Sequence, residues 1–203
     1  MRVTLLAAAA VCLLAAVPAQ ASDTQPCAKG MVCASAPETI VAALKAAGGD
    51  PKLDKDDNGD PLIDDNASGY DFTIYFFECD DQHKNCGSLE FVASFKADPT
   101  NTAELANEWN QVKRFAQMSV DSDKTLNFRY DVSTFHGLNA DNFSDVIDWW
   151  ATMLDELSKF FDAHPVPESA APAQSPPAST CSPPASDQAA DLSLPSARRT
   201  LTR

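Results

Sequence analysis

The stretch Tyr70-Asp71-Phe72-Thr73-Ile74-Tyr75-Phe76-Phe77-Glu78-Cys79 decides how this chain is organised. Successive side chains of an extended strand point to opposite faces, so Phe72, Ile74 and Phe76 form one row and Thr73, Tyr75 and Phe77 the other. A second run, Ser88 to Lys96, sets Leu89, Phe91, Ala93 and Phe95 on one face and Glu90, Val92 and Ser94 on the opposite one. The polar link Asp80–Gly87 between two such runs predicts an antiparallel hairpin.

Upstream, short strands at Lys52–Lys55 and Pro61–Asp65 flank Asp57-Asn58-Gly59-Asp60, and Asn-Gly is a strong hairpin signal. A further turn is expected at Asn66–Gly69. Downstream, strands near Ala116–Val120 and Leu126–Val132 flank a turn at Asp121–Lys124, with Leu126, Phe128, Tyr130 and Val132 facing inward. Three segments have helical spacing. The first opens with a capping box of Ser35 and Glu38, carries Ile40, Val41, Leu44 and Ala47, and stops at Gly48-Gly49. The second, Thr102–Arg114, buries Leu105, Trp109 and Val112. The third, Ala140–Asp162, has the stripe Phe143, Val146, Ile147, Trp150, Met153, Leu154, Leu157, Phe160 and Phe161. The resulting order α-ββ-ββ-α-ββ-α predicts an α+β fold, an antiparallel sheet of five to six strands packed with helices. Tyr75, Phe77 and Trp149 fall off the apolar stripes and are predicted to form an exposed interaction patch.

The chain starts with Met1-Arg2, an apolar run Val3–Val17, and Pro18-Ala19-Gln20-Ala21. This is the pattern of a signal peptide over residues 1–21, which predicts a mature protein from Ser22 in the periplasm or secreted. Export removes ATP, nicotinamide pools and reduced thiols from the ready partners. Neither Cys12 nor Cys27 sits in a lipidation context, and no later run of about 18 apolar residues predicts a membrane span. Residues 22–35 form a cysteine-containing segment and 36–162 one domain. Residues 163–203, with eight prolines and no aromatic residue, are expected to be a disordered tail. Loss of Arg2 takes the formal charge from −14 to −15, all of it on residues 22–162. Such acidity excludes nucleic acid and anionic lipid, which need Lys and Arg to displace counterions.

Five cysteines follow the leader. Spacing in an oxidising compartment suggests Cys27–Cys33 and Cys79–Cys86, although sequence alone leaves the pairing open. Cys181 is left over, to be free, capped or paired between molecules. Two metal patterns compete with these readings. Asp54, Asp56, Asn58 and Gly59 match the start of a calcium loop, with Asp60 beside them and Asp65 in the twelfth position. Against it, Gly48-Gly49-Asp50-Pro51 breaks the entering helix and Pro61 takes an apolar position. Cys79, His83 and Cys86 supply three zinc-type ligands without a fourth, and a cross-strand disulfide uses the same cysteines more simply. No nucleophile elbow, zinc-protease helix or P-loop occurs, and His83, His136 and His164 show no triad spacing.

Five segments taken together resemble a YbjN-type domain: PETIVAALKAAG at Pro37–Gly48, DNGDPLI at Asp57–Ile63, the strand FTIYFFECD, NEWNQVKRF at Asn107–Phe115, and DNFSDVIDWW at Asp141–Trp150. The likeness covers roughly residues 36–162. Such families are described as bacterial sensory-transduction regulators with a fold similar to type III secretion chaperones. The resemblance implies a small non-enzymatic α+β module with no cofactor, and dimerisation among chaperones of that fold implies a partner or self-association surface, as in a homodimer. The expected function is thus an exported binding or interaction module. The alternatives are a calcium-binding protein built on Asp54–Asp65 and an undetected hydrolase, which would need a deep pocket with converging polar groups.

Overall fold

Phe72, Ile74 and Phe76 are all buried in the computed structural model, which describes residues 26–166. The elements in chain order are β1 (Met31–Val32), α1 (Pro37–Ala46), β2 (Lys52–Lys55), β3 (Pro61–Ala67), β4 (Tyr70–Phe77), β5 (Ser88–Phe95), α2 (Ala103–Val112), β6 (Gln117–Val120), β7 (Leu126–Ser133), β8 (Leu138–Asn139) and α3 (Ala140–Ala163). Six strands form one antiparallel sheet in the order β2-β3-β4-β5-β7-β6, and β1 pairs with β8 in a separate two-stranded ribbon. The fold is α+β, with three helices among the described residues.

Register places Ile63, Ile74, Phe91 and Tyr130 side by side on one face. Trp150 of α3 lies over that face, its ring 5.6 Å from both Phe72 and Phe91 and 5.7 Å from Phe128. Trp109 brings α2 to the same side, 5.0 Å from Phe128, and Phe161 extends the packing to Phe95. Ile40 and Leu44 of α1 join this one core, and α1 packs on α3. The opposite face of the sheet carries the row Asp54, Leu62, Tyr75, Glu90 and Asp131, and beside it Asp64, Thr73, Val92, Arg129 and Gln117.

Helix ends follow their capping chemistry only in part. Thr102 Oγ1 accepts from Leu105 N at 3.2 Å, and Asn139 Oδ1 from Asn142 N at 2.8 Å. The expected Ser35–Glu38 box does not form. The N-cap of α1 is Ala36, Pro37 takes the first turn, and the Thr39 hydroxyl instead donates to Ala36 O at 2.7 Å. Gly48, at φ +94°, closes the helix in the left-handed conformation that a side chain resists. Val112 is 73% exposed rather than buried, because α2 ends there and Lys113 is already extended. No helix among the described residues is long and apolar enough to cross a membrane.

One sheet edge is closed by a side chain. Asn110 Nδ2 donates to Met118 O and its Oδ1 accepts from Met118 N, both at 2.9 Å. The amide thus acts as a one-residue strand against β6, satisfying backbone groups that an open edge would offer to another chain.

Candidate functional site

The link between α2 and β6 is short and unusually constrained. Phe115 takes φ +68°, a region where a bulky non-glycine residue is strained. The chain is fastened two residues before it and one residue after it. Lys113 N donates to Trp109 O at 3.0 Å. Ala116 O accepts from Trp109 Nε1 at 2.9 Å, and Ala116 N lies 2.9 Å from Met153 Sδ of α3. The loop is therefore fastened to both helices, and the ring of Phe115 is left 37% exposed.

That ring meets Trp149 of α3, itself 39% exposed, at 4.6 Å between centroids. On its other side it reaches Tyr130 at 5.9 Å, which continues to buried Phe91. The Arg114 guanidinium lies over the Phe115 ring at 4.9 Å. Lys113 Nζ bonds Glu156 at 2.8 Å, and Lys159 bonds the second oxygen of the same carboxylate at 2.6 Å. Those two ammonium groups hold the Glu156 carboxyl at about 2, well below its usual range. Burial raises Tyr130, and the charge of Asp145 adds to the effect. Beside Phe115 an open cleft of about 310 Å³ is lined by Asn110, Lys113, Phe115, Ala116 and Gln117, a set without a nucleophile and base. This is an aromatic surface with a cationic rim.

The other residues singled out from sequence are dispersed. Tyr75 and Phe77 lie on the face of the sheet opposite the described helices, Phe77 at 47% exposure, whereas Trp149 lies on the helical side against Phe115. The Tyr75–Phe77–Trp149 patch is therefore not one surface, because strand alternation sends the first two away from the layer that carries α3.

The Asp54–Asp65 pattern folds as a hairpin and does not converge as a cation loop. Asp56 Oδ1 accepts from Asn58 N and Asp60 N at 2.9 Å, tightening the turn under Gly59 at φ +97°. Asp54 Oδ1 accepts from Lys55 N on an exposed edge. Asp65 is buried four residues into β3, and its Oδ1 accepts from Asp50 N at 3.0 Å and Asn66 N at 2.9 Å. No group of three or more His, Cys, Asp or Glu among the described residues could hold a metal ion.

Cys79 is bonded to Cys86, and His83 faces Asp60 at 2.9 Å instead of joining them. Cys27 is bonded to Cys33. Buried Thr134 links the two bridged loops: its Oγ1 accepts from Ala34 N at 2.8 Å and donates to Gly87 O at 3.2 Å, while its N–H also donates to Gly87 O. Cys181, the expected leader over residues 1–21, and the expected proline-rich tail after Val166 lie outside the described residues.

Phe115 was not legible as a site residue. The usable signal is the run Lys113-Arg114-Phe115, where a helix ends without a glycine to take the left-handed turn.

Comparison with known proteins adds a family. A family model, YbjN, described as "Putative bacterial sensory transduction regulator", matches residues 36–163. No curated protein matches the chain. Among solved structures, "Crystal structure of YbjN, a putative transcription regulator from E. coli" is similar at 18% identity and a TM-score of 0.39, over 63% of this chain and 91% of that one.

Proposed function

The chain belongs to the YbjN family, and from that premise we propose an exported regulatory module that acts by protein contact through the Phe115–Trp149 surface, without catalysis. One observation carries the reading. A phenylalanine is kept in a left-handed backbone conformation with its ring half in water, and the fold holds it there by fastening Lys113 and Ala116 on either side. Strain maintained by surrounding structure points to use, since burial does not account for it. Export is supported by the leader-like residues 1–21 and by the two bridges, which suit an oxidising compartment.

The test is recovery of partners from envelope extract on the oxidised chain starting at Ser22. Phe115→Ser and Trp149→Ser should each lose the recovered partner, while Tyr75→Asp on the far face keeps it. Equal recovery by all three would overturn the surface. Recovery of the intact chain from the cytosol, Met1 attached and all thiols reduced, would overturn export.

A second reading, self-association, is favoured by the sheet face that no described helix covers, where Phe77 is exposed and half-buried Tyr75 sits between Leu62 and Glu90. Light scattering decides it: a dimer that Tyr75→Asp converts to monomer supports that face, and a strict monomer removes it.

A further inference from the structure

We propose that strand β2, at the edge of the six-stranded sheet, pairs with β2 of a second copy of this chain, antiparallel about a twofold axis at Leu53. The edge is distinct from both the Phe115–Trp149 surface and the Tyr75 face, and its pairing depends on neither. The two edges of the sheet are finished differently. At β6 the Asn110 amide occupies Met118 N and O, both at 2.9 Å. At β2 all four residues from Lys52 to Lys55 are exposed, and Leu53 holds an apolar side chain there at 50% exposure.

Register decides which backbone groups this edge offers. β2 pairs with β3 as Lys52↔Asp64, Leu53↔Ile63, Asp54↔Leu62 and Lys55↔Pro61. One step further, Asp56 N donates to Asp60 O at 2.8 Å. Ladder bonds to one neighbour fall on alternate residues of an antiparallel strand. Asp54 and Lys52 therefore bond β3, while Leu53 and Lys55 turn their N–H and C=O outward. The Lys55 N–H is taken by Asp54 Oδ1 at 2.9 Å. Leu53 keeps a donor and an acceptor facing away from β3, and a second Leu53 satisfies both, each N–H donating to the other's carbonyl.

Side chains select the occupant. With the two Leu53 residues opposed, Lys52 falls opposite the second copy's Asp54, and Asp54 opposite its Lys52. These are the closely spaced positions of the ladder, about 4.5 Å between Cα atoms, so two opposite-charge pairs form. Pro51 falls opposite Lys55 and has no N–H to leave unpaired. Other registers fail. A shift of one residue sets outward amides against inward ones. A shift of two sets either Lys52 against Lys52 or Asp54 against Asp54, and like charges directly opposite repel. Short edge strands carrying lysine usually resist pairing. Here the order Lys-Leu-Asp admits a copy of itself in a single register, joined by the twofold symmetry common to protein dimers.

The experiment is sedimentation equilibrium on the oxidised chain from Ser22 to Arg203 with Cys181→Ser, so that no intermolecular disulfide is counted. The expected result is a reversible monomer–dimer equilibrium. Lys52→Asp and Asp54→Lys each set like charges opposite at both pairs and should weaken association by about tenfold or more. Mixed in equal amounts, the two variants should form a heterodimer with the parent's affinity, because opposite charges face again. The mixed pair carries the same total charge as the parent dimer, so its recovery isolates the facing side chains. Both substitutions are at exposed positions, and thermal melts should match the parent. Phe115→Ser should leave the dimer intact, so loss of that partner surface does not touch the edge. A chain that stays monomeric at every concentration overturns the pairing. So does a mixture of the two variants that fails to recover association. A dimer lost with Tyr75→Asp but indifferent to both charge reversals assigns association to the sheet face and overturns it equally.

Discussion

Trp109 and Trp150 are buried to the same depth, but only one indole N–H is bonded. Trp109 Nε1 donates to Ala116 O, whereas Trp150 Nε1 has no hydrogen-bond partner among the described residues. Replacement by Phe removes similar volume from both sites, so the difference isolates the bond. Trp109→Phe leaves the Ala116 carbonyl unpaired and should cost about 1–2 kcal/mol more than Trp150→Phe, read from urea unfolding midpoints. Phe115 gives the converse case. Phe115→Gly relieves the left-handed strain and gives up half-exposed ring contacts, so stability should stay within about 1 kcal/mol of the parent in thermal melts. Partner recovery should nevertheless be lost. The burial of both core tryptophans was legible, since each lies on an apolar stripe of a helix. Which way an indole N–H points was not, because periodicity describes faces and carries no information on the loop that supplies the acceptor.

Strands were the most legible elements, since alternation over Tyr70–Phe77 and Leu126–Ser133 is long enough to set a face. The ribbon of β1 and β8 was not, because two-residue strands carry no period. Nor was the fastening of α3 to the end of α2, which is an ion pair across forty-three residues of sequence. Glu156 bonds Lys113 and Lys159, and its carboxyl lies at about 2 in the folded chain against an ordinary value near 4.5. Folding therefore favours the ionised form. The stabilisation is fully present above about pH 4.5 and fades as pH falls toward 2. Glu156→Gln should lower the melting temperature at pH 7, modestly for so exposed a pair, and the gap to the parent should close progressively below pH 4.5. A gap that persists unchanged at pH 2 would assign the effect to packing of the Glu156 stem.

All three described helices contribute to one core on one side of the six-stranded sheet, and this arrangement separates the surfaces. Tyr75 and Trp149 are both off-stripe, but a strand's off-stripe side chain points to the opposite layer while a helix's points sideways within its own. Sequence marks each as non-core and cannot say that the sheet lies between them. The same limit hid the role of Thr134, which joins two loops about fifty and a hundred residues distant. Thr134→Val keeps the shape, strips Ala34 N of its acceptor, and should cost about 1–3 kcal/mol with the bridges closed. Reduction should cost about 2–3 kcal/mol per bridge, because each closes a loop of only six or seven residues in sequence separation. The two perturbations act on the same end of the molecule, since Cys33 precedes Ala34 and Cys86 precedes Gly87. Groups that share a network do not add. In a double cycle, Thr134→Val should therefore cost less in the reduced chain than in the oxidised one, because freed loops already strain the hydrogen bonds that the substitution removes. Equal cost in both states would mean that Thr134 holds the two loops together independently of their disulfides.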